Sequence, residues 1–225
     1  MPAKRSEAGV AAIVLAAGLS TRMGGEPKPL LPLGDRSVVE HILSVLAGCP
    51  VQETIVVTGH KSQEVEACLT GWQALLPRAA GPVRTAFNPR YAQGEMLSSI
   101  QVGLGSISAT SSAALVVLGD QPALASSVVR AVIAAYRAGR GSLVVPSFQM
   151  RRGHPLLIDK RHWSAILQLD EGRTLRDFVQ TVETEIYHVP VDSPGILRDM
   201  DTPAEYQREL IDYQRRRHKE PVRVV

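Results

Sequence analysis

Short apolar runs recur along this chain, each followed by a stretch with helical spacing. Residues 11–15, 54–58, 83–87, 115–118 and 143–145 read as strands, with weaker strand patterns at 155–158 and 186–189. Runs without polar alternation suit strands covered on both faces. The intervening helices carry start and stop signals. Ser37 and Glu40 have capping-box spacing, and Val38, Ile42 and Val45 follow on one stripe. Residues 127–136 read as a helix closed by Gly139. Thr174 and Asp177 repeat the capping spacing ahead of Phe178. Thr202, Pro203 and Glu205 open a last helix, with proline at its first position. That helix runs into Arg215, Arg216 and Arg217, where cations suit the negative end of the helix dipole.

This alternation predicts one α/β domain of three layers: an open, mostly parallel sheet with helices on both faces. Residues 1–9 are expected to be a flexible N-terminus, 10–214 the domain and 215–225 a basic tail. Ligands of such sheets lie outside the carboxyl ends of the strands. The turns after Leu15, Thr58, Phe87 and Leu118 should therefore surround one crevice.

Bulk composition narrows the partners. The 225 residues carry 25 Lys and Arg against 22 Asp and Glu, a formal charge of +3. That balance is too weak to argue for nucleic acid and favours small anions such as nucleotides. No stretch approaches the roughly 20 apolar residues of a membrane span, and the apolar residues from Val10 to Ala17 are too few for a signal peptide. The two cysteines, Cys49 and Cys68, form neither a metal pair nor a disulfide framework. A cytoplasmic protein without a membrane or nucleic-acid partner is the expectation.

The first strand runs into Leu15-Ala16-Ala17-Gly18-Leu19-Ser20-Thr21-Arg22-Met23-Gly24-Gly25 and then Lys28. Small residues at 16, 17 and 18 let a ligand approach the backbone, and Gly18 can adopt a positive φ without strain. Successive N–H groups there make an anion nest. Arg22 and Lys28 add two cations, as phosphoryl chemistry requires where negative charge builds up on oxygen. This is not a Walker loop, since Pro29 follows Lys28, and no G-x-G-x-x-G occurs here.

LAAG-x-S-x-RMG followed by K-x-LL resembles the signature of the nucleotidyltransferases with a Rossmann-like fold, above all the molybdenum cofactor cytidylyltransferases. The resemblance extends over about residues 11–206. It implies that Leu15, Ala16, Ala17 and Gly18 hold a nucleoside triphosphate. It implies further that Arg22 and Lys28 neutralise the phosphates and the departing pyrophosphate. Gly119-Asp120-Gln121-Pro122 ends a strand and resembles the family's metal-binding turn, which assigns Asp120 to Mg²⁺ and to catalysis alongside Arg22 and Lys28. Magnesium takes hard oxygens and keeps waters and substrate phosphates in its shell. Asp199-Met200-Asp201-Thr202-Pro203 resembles the family's second acidic segment and makes Asp201 the second ligand, with Asp199 as the alternative. The segment continues Ala204-Glu205 where the family has Glu-Asp, a departure expected to touch only the helix surface.

The loop from Asn88 to Ser99 resembles the family's nucleobase loop, which implies that Gly94 and Ser98 contact the nucleotide. Ala16-Ala17-Gly18, and Gly119 where guanylyl relatives carry Cys, favour CTP over GTP. Arg151-Arg152-Gly153-His154-Pro155 resembles the acceptor-side segment, so Arg152 and His154 would meet a phosphorylated acceptor such as molybdopterin. His60 reads as structural. Asp170-Glu171-Gly172-Arg173 departs from the cytidylyltransferase pattern, which leaves another phosphorylated acceptor open, a sugar phosphate or a phospholactate-like acid. The different-class alternative is a non-catalytic nucleotide-binding accessory for a molybdenum enzyme.

Overall fold

A computed structural model describes residues 8–73, 81–93 and 96–219. In chain order the elements are β1 (Val10–Ala16), β2 (Pro32–Leu33), β3 (Arg36–Ser37), α1 (Val38–Ala47), β4 (Glu53–Thr58), α2 (Ser62–Gln73), β5 (Val83–Phe87) and α3 (Met96–Ser106). There follow β6 (Ala113–Leu118), α4 (Ser126–Arg137), β7 (Leu143–Phe148), β8 (Arg151–Arg152), β9 (Leu156–Asp159), α5 (Trp163–Leu167), α6 (Leu175–Thr181), β10 (Ile186–Pro190) and α7 (Pro203–Lys219).

The main sheet has the order β10-β7-β9-β6-β1-β4-β5, with the short β8 paired to β7. Strands β1, β4, β5 and β6 pair in parallel, as do β7 and β10. Strand β9 runs antiparallel between β6 and β7, and β8 is antiparallel as well. Apolar periodicity reports burial but not strand direction, which is why the reversal of β9 was invisible in the sequence.

The unbroken apolar runs are buried on both sides. From β1, Val10, Ala12, Val14 and Ala16 join a core with α1, α2, α4 and α7. Ile13 and Ala17 join a second core with α3, α5 and α6. Each fully buried Val, Ile or Leu contributes about 1.5–3 kcal/mol relative to exposure. The two cores define the three layers.

Local signals place the helices. Ser37 Oγ accepts from the Glu40 N–H while Glu40 returns to the Ser37 N–H, closing the capping box. Thr174 and Asp177 close a second one. Gly139 ends α4 with φ +70°. Helix α7 continues through Arg215 and Arg216, and Arg217 Nη1 reaches Asp35 at 2.7 Å. Among the described residues no helix is long and apolar enough to cross a membrane.

Because Ser37 satisfies an otherwise orphaned N–H, Ser37→Ala should cost about 1 kcal/mol. The expected result is a lower urea midpoint at unchanged slope in equilibrium unfolding.

Candidate active site

The carboxyl ends of β1 and β6, together with the segment that follows β5, surround one cleft of about 370 Å³. Leu15, Ala16, Ala17, Gly18, Lys28, Asp120, Asp199 and Asp201 all line it. Of the turns expected to surround the crevice, those after Leu15, Phe87 and Leu118 do so, while the turn after Thr58 supplies no lining residue.

The loop after β1 is held by Ser20, a residue the sequence reading gave no role. Ser20 is buried and adopts the left-handed conformation with φ +53°. Its carbonyl accepts from the N–H groups of Met23 at 2.9 Å and Gly25 at 3.2 Å. Its Oγ accepts from the Lys28 N–H at 3.1 Å. One serine thus fixes both ends of the loop. Gly18, able to take a positive φ, does not; the positive φ angles of this loop lie at Ser20, Gly24 and Gly25. A Cβ on Gly18 would meet nothing within 4 Å, so this glycine leaves the cleft floor open. His60 is structural: its N–H binds the Ala17 carbonyl at 3.2 Å and its Nε2 lies 3.3 Å from the Gly25 carbonyl.

Gly119 brings β6 against β1. Its N–H donates to the Leu15 carbonyl at 2.9 Å, and a Cβ there would lie 2.4 Å from that oxygen. A side chain at 119 would force the two strand ends apart and move Asp120. The Asp120 carbonyl in turn accepts from the Met200 N–H at 3.1 Å. Met200 is fully buried, and its neighbours Asp199 and Asp201 both line the cleft. Glu205 Oε2 accepts from the N–H groups of Asp201 at 3.0 Å and Thr202 at 2.8 Å. The Glu205 N–H returns to Thr202 Oγ at 3.3 Å, which closes a third capping box. The Ala-Glu departure therefore does more than alter the helix surface, because Glu205 holds the backbone of Asp201.

The side chains converge on Lys28. Its Nζ lies 2.7 Å from Asp120 Oδ2 and 2.6 Å from Asp201 Oδ1. Arg22 Nη1 takes the other Asp201 oxygen at 2.8 Å. Burial alone would lower the Lys28 ammonium's pKa, but Asp120 and Asp201 outweigh it and raise it. The hydrogen bond from Lys28 holds Asp201 below the usual carboxylate range. Asp199 goes the other way, pushed up by burial and by the charges of Asp120 and Asp201.

This donor set fits a divalent cation that prefers oxygen. Two carboxylates reach a single point, marked by Lys28 Nζ, and phosphates and water would supply the remaining ligands. Among the described residues no group of three His, Cys, Asp or Glu side chains could hold a metal, so the arrangement is open rather than a closed cage.

The remaining expectations fare differently. Gly94 lies outside the described residues. Ser98 is buried and does not line the cleft; its Oγ accepts from Asn88 Nδ2 at 2.9 Å. Its neighbour Ser99 lines the cleft instead, together with Tyr91 and Met96. Tyr91 stands edge-on to Phe87 with ring centroids 6.1 Å apart. Arg152 is exposed and committed to β10 and its approach, with His188 Nε2 at 2.8 Å and Glu183 Oε1 at 2.7 Å. The turn between β7 and β8 pairs Arg152 with Ser147 of β7, and Arg152 does not line the cleft. His154 is not a cleft-lining residue either. Its N–H binds the Ile196 carbonyl at 3.1 Å. Burial pushes its imidazole down to about 4, against the nearby charge of Asp199.

A family model described as the MobA-like NTP transferase domain matches residues 12–188. The chain is 32% identical over 171 residues to the bifunctional protein GlmU of Streptomyces griseus, across 74% of this chain and 34% of that protein. It thus spans about a third of that relative's length. It is 34% identical over 156 residues to nicotine blue oxidoreductase of Paenarthrobacter nicotinovorans, across 67% of this chain and 71% of that protein. The solved structure of a nucleotidyl transferase from Methanothermobacter thermautotroptrophicus is similar with a TM-score of 0.72 and 25% identity, across 92% of this chain and 99% of that one. These relatives are named for different reactions, so the chemistry has to rest on this cleft's own side chains.

Half-buried His154, held neutral by desolvation, gives a pH dependence of stability. Unfolded, its imidazole titrates near the ordinary 6.5; folded, near 4. Between these values the unfolded state binds more protons, so this contribution is full above about pH 6.5 and is lost as pH falls towards 4. His154→Gln should therefore show a shallower loss of urea midpoint from pH 7 to pH 4.5 than the wild type. His41, also pushed down to about 4, contributes equally to both proteins. An unchanged slope in the variant would contradict the burial of a neutral His154.

Proposed function

The chain belongs to the MobA-like NTP transferase domain family, and from that premise we propose that it is a Mg²⁺-dependent nucleotidyltransferase. It moves CMP from CTP onto a phosphorylated acceptor and releases pyrophosphate. The observation that carries this reading is the meeting of Lys28 with Asp120 and Asp201 at the mouth of the loop from Ala17 to Gly25. Two cations and two carboxylates beside an open backbone nest suit a triphosphate better than any redox cofactor.

The roles follow from position. The backbone around Ala17, Gly18 and Leu19 receives the phosphates. Arg22 and Lys28 neutralise the oxygens on which negative charge accumulates as the bond to pyrophosphate breaks. Asp120 and Asp201 would hold the Mg²⁺, whose chemistry when bound is to polarise the α-phosphate and steady the leaving group. Asp199 stands beside them as the alternative second ligand. An acceptor phosphate oxygen attacks the α-phosphorus, and pyrophosphate departs from the far side. No protein nucleophile is needed, and the chain contributes positioning and charge.

CTP is favoured by Ala16-Ala17-Gly18 and by Gly119, where the Leu15 carbonyl leaves no room for the cysteine of guanylyl relatives. A molybdopterin-type acceptor rests on the family resemblance. Because Arg152 is tied to His188 and Glu183, that resemblance has weak support at its acceptor-side segment. A sugar phosphate or similar acid fits the same transfer chemistry.

Pyrophosphate release from CTP with Mg²⁺ and a panel of phosphorylated acceptors, molybdopterin included, tests the reading. Wild-type protein should turn over with one acceptor, prefer CTP to GTP and stop with EDTA. Asp120→Asn should lose at least about a hundredfold, the scale on which removing one transition-state electrostatic contact acts. Equal release by wild type and Asp120→Asn would overturn the assignment. Tight nucleotide binding without release for any acceptor would favour an accessory role instead.

A further inference from the structure

The ammonium of Lys28 stands where a cation ligated by both carboxylates would stand. Nζ is 2.7 Å from Asp120 and 2.6 Å from Asp201, and the other Asp201 oxygen belongs to Arg22 at 2.8 Å. Two positive side chains therefore already balance the two carboxylates. A divalent ion arriving alone must expel the ammonium and leave it without partners in a largely enclosed position: the Lys28 side chain is only 15% exposed. An unpaired, half-desolvated ammonium is costly. The triphosphate changes this balance by bringing several negative charges to which both cations can transfer.

The chain around Lys28 is built so that only the side chain need move. Pro27 and Pro29 flank it and fix their own φ angles. The Lys28 N–H is held by Ser20 Oγ, and its carbonyl accepts from the Leu31 N–H at 3.2 Å. The flexible four-carbon stem is free to swing from a fixed root.

We propose that Lys28 is a built-in place-holder: it keeps divalent metal off Asp120 and Asp201 until a nucleoside triphosphate arrives, so that metal and nucleotide bind with strong mutual reinforcement. This rests on reading the cleft as the nucleotide and metal site. By linkage the reinforcement is reciprocal: the factor by which nucleotide tightens metal is the factor by which metal tightens nucleotide.

The test is titration with Mn²⁺, a paramagnetic stand-in for Mg²⁺, followed by electron paramagnetic resonance. Wild type, Lys28→Met and Lys28→Gln are each titrated with and without α,β-methylene-CTP, with circular dichroism melting to establish that the variants fold. In wild type the analogue should tighten Mn²⁺ by about tenfold or more, within the ordinary range of coupled sites. In both uncharged variants Mn²⁺ alone should bind about tenfold tighter than in wild type, and the added effect of the analogue should shrink to the part that direct phosphate ligation of the metal supplies. If the folded variants bind Mn²⁺ alone as weakly as wild type, or more weakly, the place-holder role is overturned. The metal-alone comparison is independent of turnover. Tightened Mn²⁺ in the variants alongside a wild type that releases no pyrophosphate would uphold the place-holder and sink the transferase reading. Turnover in wild type with no tightening in the variants would do the reverse.

Discussion

Everything at the cleft depends on one constraint: Asp120 and Asp201, two like charges from distant parts of the chain, are held at one point. They lie 92 and 173 residues from Lys28, whose ammonium lies between them. Left alone the carboxylates would repel, and Asp199 shows the effect, its pKa raised by burial and by both neighbours. Lys28 and Arg22 offset that repulsion for Asp120 and Asp201. The same opposition between charges makes the point suitable for a metal ion and for a highly charged substrate.

The side chains meet because the backbone beneath them is tightly specified. Gly119, directly after β6, bonds the Leu15 carbonyl of β1, so Asp120 leaves the sheet at the rim of the cleft. The Asp120 carbonyl then captures Met200, whose burial turns both flanking aspartates towards the cleft. Glu205 secures Asp201 from behind by accepting its N–H, and Ser20 secures Lys28. Much of the precision of the site thus resides in main-chain hydrogen bonds, and only the charges at its surface differ from those of an ordinary α/β core.

Most of the frame and the centre of the site were legible in the sequence, because their signals are local. Apolar runs marked all seven strands of the main order, and spacing alone identified the capping boxes at Ser37 and Thr174, whereas at Thr202 it marked only a helix start and the box there came from the structure. Asp120 and Asp201, singled out by a family resemblance at the end of one element and the start of another, both meet Lys28 in the structure. The misreadings have physical causes. Ser98 and Ser99 differ by one residue on a helix, about 100° of rotation, and sequence alone does not fix which of them faces the cleft. The basic segment at Arg151 and Arg152 resembles a phosphate site, but a tight hairpin folds it along β7 towards His188 and Glu183. The left-handed Ser20 could not be anticipated, since a non-glycine residue with positive φ is sustained only by partners elsewhere in the loop.

The most direct test of the central claim is a crystal structure of the protein soaked with CTP and Mg²⁺. The account predicts the triphosphate along the backbone from Ala17 to Ser20, the metal on Asp120 and Asp201, and Lys28 Nζ moved from the carboxylates to the phosphates. Nucleotide bound outside this cleft, or metal bound without contact to either aspartate, would contradict it.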